Sequence, residues 1–80
     1  MPLRKGWRDL SRSTVGAAPE RYGVYELGDG DGTVLHVGAG MLRDELKEAL
    51  GYGDGEQVRW ETTPSLERAR ELAEEHRERL

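Results

Sequence analysis

The sequence predicts an α+β domain: a three-stranded antiparallel sheet with packed helices, in the order β-β-α-β-α. Three observations predict it. Residues 22 to 27 and 33 to 38 are β-like runs separated only by Gly28-Asp29-Gly30-Asp31-Gly32. Glycine tolerates positive φ and Asp folds back on its own backbone, so this stretch reads as a tight hairpin turn. Residues 57 to 62 alternate, with Val58, Trp60 and Thr62 on one side and Gln57, Arg59 and Glu61 on the other. That period of two marks a half-buried third strand. Leu66, Ala69, Leu72, Ala73, His76 and Leu80 recur at helical spacing, with charged residues filling the positions between them.

In chain order, Leu3, Trp7 and Leu10 stand at i, i+4 and i+7, one face of a short amphipathic helix or turn. Ser11 to Ala18 is polar and small, and reads as a connector. Residues 1 to 18 are expected to fold back as an amino-terminal segment onto a domain of residues 19 to 80, either their own or a neighbouring copy's. A three-stranded sheet would otherwise leave an edge strand and one face uncovered. After the hairpin, residues 41 to 50 form a helix with Leu42, Leu46, Ala49 and Leu50 on one face, ended by Gly51-Tyr52-Gly53-Asp54-Gly55. Thr63 as N-cap and Pro64 at the first helical position are expected to start the last helix, residues 64 to 79.

Eighty residues allow one small domain with a thin core. The chain has no Cys, so neither a disulfide nor a Cys-based zinc site can staple it. No stretch approaches the ~20 apolar residues of a membrane span. No apolar run follows Met1-Pro2-Leu3-Arg4-Lys5, so no secretory signal is expected and a cytoplasmic location is the default. The net charge is −4, with ten Arg and only two Lys. An acidic, Lys-poor chain resembles proteins of salt-adapted, halophilic organisms, a bias that high GC content also produces. The acidic balance disfavours nucleic acid, since phosphate contacts need a basic face. The basic cluster Arg4, Lys5, Arg8 and Arg12 reads most simply as a solvated face.

Two tripeptides, Gly23-Val24-Tyr25 and His36-Val37-Gly38, each lie in a β-like run, and the second leads toward the helix near Gly40-Met41-Leu42. In this order and spacing, residues 19 to 77 resemble the GIY-YIG nuclease domain. The resemblance implies paired strands carrying the two tripeptides. It also implies a one-metal phosphodiesterase centre, in which tyrosines and an Arg surround the phosphate and a helical Glu holds a divalent cation. Tyr25 matches the first motif tyrosine, and His36 stands at the second, where an imidazole could act as base. The family's catalytic Arg would fall at Glu45, and its metal-binding Glu at Ala73, one residue before Glu74. Its late Asn has no counterpart, because this chain contains no Asn.

The expectation is a non-catalytic or catalytically compromised GIY-YIG-like domain working as a binding or interaction module. The alternatives are a Mg2+-dependent endonuclease using His36, and a structural homo-oligomeric domain. Tyr25 and His36 are the catalytic candidates. Gly38, Gly40 and Arg43 are the binding candidates, the glycines because a strand-to-helix turn at Gly38-Ala39-Gly40 could present amides to an anion. No metal or cofactor is expected unless the nuclease alternative holds. The partner is unknown, with a homodimer as one expectation. Asp29, Asp31 and Thr33 suggest calcium only superficially, because Val34 stands where the loop's sixth-position glycine belongs.

Overall fold

The computed structural model describes residues 6–53 and 55–78. Leu3, Arg4, Lys5, Asp54 and Leu80, which enter the sequence reading, lie outside the described residues. The elements are β1 (Arg8–Asp9), α1 (Arg12–Ala17), β2 (Tyr22–Gly28), β3 (Val34–Met41), α2 (Leu42–Tyr52), β4 (Gln57–Thr62) and α3 (Leu66–Glu78). The sheet has four antiparallel strands in the order β1-β4-β2-β3, not three. The added strand is β1, which pairs Arg8 with Val58 and Asp9 with Gln57. Its sequence, Arg-Asp, carries no strand signal; the open edge of β4 imposes the conformation by offering unpaired backbone groups. The apolar spacing of Trp7 and Leu10 therefore does not mark a helix at this point.

The stretch 11 to 18 is not a connector. Ser11 caps α1 by accepting a hydrogen bond from the Thr14 amide at 3.3 Å, and Val15 and Ala18 are buried in the core. The β2–β3 hairpin pairs Tyr25 with Gly38 and Gly23 with Gly40, with an irregularity between Leu27 and Gly28. Asp29 Oδ1 closes the turn by accepting from the amides of Asp31 and Thr33, both at 2.9 Å. This Asx turn uses the carboxylate oxygen that the calcium reading needed.

Strand β3 runs on to Met41, so Gly38, Ala39 and Gly40 belong to the ladder with β2 rather than to a turn. Helix α2 follows without a side-chain cap and ends on Gly53 at φ 68°, the left-handed cap. The last helix starts two residues later than the sequence suggests. The Ser65 hydroxyl accepts from the Arg68 amide at 3.1 Å, whereas Thr63 donates to the Ser65 carbonyl at 2.8 Å. Pro64 accordingly precedes the helix instead of opening it.

Helices cover both faces of the sheet. On one, Val15, Ala18, Tyr25, Leu27, Leu42, Leu46, Ala49 and Val58 form the larger core cluster, under α1 and α2. On the other, α3 lays Ala73 against Val24 and Val37. The central strand β2 is thus buried from Gly23 to Gly28, including Glu26. Cover on two sides explains how so short a chain excludes water from its central strand. Trp7 adds to the α3 side, where its ring lies against Gly28 and under the Arg59 guanidinium, 4.1 Å from the ring centroid. No helix among the described residues is long and apolar enough to cross a membrane.

Candidate functional site

Strand alternation puts Tyr25 and His36 on the same face, the one covered by α2. Their ring centroids are 5.9 Å apart with a tilt of 48°. Tyr25 lies flat across Gly38, where any Cβ would collide with its ring and hydroxyl. The Tyr25 hydroxyl donates to Glu45 Oε1 at 3.2 Å. Gly40 makes the corresponding room for Glu45, because a Cβ there would sit 2.9 Å from Glu45 Cγ. The two β3 glycines therefore make room for Tyr25 and Glu45.

Around this pair lies a cleft of about 130 Å³, lined by Tyr25, Leu27, His36, Glu45, Glu48, Ala49 and Tyr52. Tyr25 and Leu27 are buried and form its floor; His36 is exposed, and Tyr52 is 77% exposed. The volume is below the ~300 Å³ at which small-molecule pockets begin, enough for one side-chain head group. Burial pushes the Tyr25 hydroxyl well above its ordinary pKa, and the Glu45 charge, its hydrogen bond and the Glu48 charge push it further, against a smaller opposing effect of Arg77. Phenolate is thus disfavoured in the one tyrosine that the resemblance places at the reacting phosphate.

That shift has a consequence in alkali. A phenol whose pKa is raised by folding contributes stability that is fully present below the unfolded value of 10.0. The contribution is lost above pH 10, as the unfolded chain gives up its proton before the folded one. Denaturant unfolding between pH 8 and 11 should show stability falling more steeply in the wild type than in Tyr25→Phe. Coincident slopes would mean that Tyr25 ionises freely in the fold.

Arg43 does not join Tyr25 and His36. Its Nε donates to the Ala18 carbonyl at 3.1 Å, and Nη1 pairs with Glu20 Oε1 at 2.6 Å. It ties α2 to the end of α1, a structural task. Ala73 is buried on the opposite face of the sheet, and Glu74 is exposed on α3, 3.7 Å from Arg77 Nη1. No group of three or more His, Asp or Glu among the described residues is placed to hold a metal ion.

The sequence reading missed a buried polar cluster on the α3 side. Glu26 is 0% exposed, and its Oε1 accepts from Arg59 Nε at 2.7 Å across β2 and β4. His76, 6% exposed, brings Nδ1 within 3.4 Å of Glu26 Oε2 without hydrogen-bond alignment. The signal was the register Glu26↔Arg59, opposite charges directly across two strands. Arg59 lies on the side of β4 opposite Val58 and Trp60, and α3 covers that side together with Glu26.

A further hollow of about 370 Å³ is lined by Gly6, Trp7, Arg8, Arg59 and Trp60. Both of its cations already stack, Arg59 on Trp7 and Arg8 on Trp60, the latter at 5.0 Å.

A family model described as a domain of unknown function (DUF7508) matches residues 1–79. The chain belongs to the DUF7508 family. No curated protein and no solved structure matches the chain.

Proposed function

We propose that this DUF7508 domain is a non-catalytic binding module on a GIY-YIG-like framework. Supporting the framework are the hairpin of β2 and β3, the helix that follows directly, and the return of β4 beside β2. One observation carries the non-catalytic part: the Tyr25 hydroxyl is bonded to Glu45, at the position where the resemblance calls for an arginine. Phosphoryl transfer needs positive charge around the developing oxyanions. A carboxylate there repels phosphate and also holds the tyrosine proton. Arg43, two residues before Glu45 in sequence, is committed to Ala18 and Glu20. Glu74, the nearest carboxylate to the family's metal-binding position, sits on the helix that covers the other face.

The test is direct. Supercoiled plasmid incubated with purified protein and magnesium or manganese is expected to stay intact, and duplex DNA to bind weakly at physiological salt. Metal-dependent nicking that disappears in His36→Ala would replace this reading with the endonuclease one. Nicking that survives both His36→Ala and Tyr25→Phe would point to a contaminating enzyme.

A further inference from the structure

The cleft over Tyr25 combines features that suit one ligand chemistry. The buried Tyr25 and Leu27 lie beneath it, the exposed rings of His36 and Tyr52 flank it, and two carboxylates from successive turns of α2 line it. Glu45 is held in place, seated over Gly40 and bonded through Oε1 to the Tyr25 hydroxyl. Aromatic faces attract cations through their quadrupole, and carboxylates beside them add charge-assisted hydrogen bonds. Burial is the largest cause of the raised Tyr25 pKa, and the charges of Glu45 and Glu48 add to it in the same direction. The neighbouring cation Arg77 is engaged elsewhere, donating twice to the Val37 carbonyl at 3.2 and 2.8 Å.

We infer that this cleft binds a guanidinium group, the arginine side chain of a partner polypeptide. Resting on the non-catalytic reading above, the inference names the ligand of the same site. A planar guanidinium stacks on aromatic rings and forks onto carboxylates, and it is more weakly hydrated than an ammonium, so it loses less on leaving water. The volume of about 130 Å³ admits one such head group and not a nucleotide. The partner is correspondingly a basic, arginine-bearing segment, complementary to the formal net charge of −4 on this chain.

The experiment is an NMR titration of the 15N-labelled protein at low ionic strength with Nα-acetyl-argininamide. The lysine and citrulline analogues serve as the cationic and the neutral isosteric controls. Saturable shifts are expected at Tyr25, His36, Gly38, Glu45 and Tyr52. The lysine analogue should bind more weakly and the citrulline analogue should produce no saturable shift. Glu45→Gln with Glu48→Gln keeps an acceptor for Tyr25 and is expected to weaken argininamide about tenfold, the scale of one charge-assisted hydrogen bond. Tyr52→Ala, at an exposed site that leaves the core intact, should weaken it about threefold, as an exposed cation–π contact does. Equal response to citrulline, equal response to lysine, or indifference to the double glutamine variant would each overturn the guanidinium assignment. An absence of shifts with plasmid intact removes this inference alone, whereas plasmid nicking removes the non-catalytic reading beneath it.

Discussion

Glu26→Ala is expected to cost about 3 kcal/mol of stability, the lower end for removing one partner from a buried ion pair. Glu26 is 0% exposed on the central strand, and its partner Arg59 retains 13% side-chain exposure, with the Trp7 ring stacked on it. That residual exposure and stacking keep the loss from being larger. For a domain of this size the change corresponds to a melting temperature lower by roughly 15 °C. Glu26→Gln, which preserves the shape and an acceptor for Arg59 Nε, should fall between the wild type and alanine. Glu26→Leu combined with Arg59→Met should recover much of the alanine loss, because apolar replacement of both partners removes the desolvation cost together with the attraction. Thermal unfolding of the four proteins decides the matter. An alanine variant as stable as the wild type would mean that the cluster contributes nothing to holding α3 on the sheet.

Gly23→Ala is expected to be comparably damaging for a steric reason. A Cβ on Gly23 would lie 2.5 Å from the Glu61 carbonyl oxygen and 2.7 Å from Leu42 Cδ1. Leu42 is fully buried, and the Glu61 oxygen is backbone of the neighbouring strand, so neither can swing aside. Relief requires β2 and β4 to separate where Gly23 pairs with Thr62, which costs about 3 kcal/mol or more by overpacking. A domain of this length has roughly 4 to 12 kcal/mol in total. The variant should therefore melt far below the wild type, or appear largely insoluble. Gly51→Ala supplies the control: it lies within α2, no neighbouring atom stands within 4 Å of its Cβ position, and helix propensity favours alanine by about 1 kcal/mol. If Gly23→Ala and Gly51→Ala melt alike, the strand spacing at Gly23 is looser than these contacts imply.

Periodicity and turn chemistry by themselves determined the α+β class, the hairpin and its Asp-Gly turn, the two longer helices, and the inward stripes Leu42-Leu46-Ala49 and Ala69-Ala73-His76. Each of those signals is local: it depends on residues within a few positions of one another, where backbone sterics and side-chain spacing act without reference to the rest of the chain. That Tyr25 and His36 share a face was decided by the register, which pairs Leu27 with His36 and Tyr25 with Gly38; a slip of one residue would have put them on opposite sides. What only the tertiary structure decided were the features that depend on which element lies across the sheet. Arg8–Asp9 became a strand because β4 had an open edge, and Arg12–Ala17 became a helix because Val15 and Ala18 found a core to enter. With α3 on one face and α1 and α2 on the other, Glu26 and Arg59 form a buried ion pair. The same placement set Ala73 and Glu74 apart from the Tyr25 cleft and left Glu45, not an arginine, beside the tyrosine hydroxyl. Contacts between residues 20 or more positions apart are selected by the global balance of burial against desolvation, to which local pattern is blind.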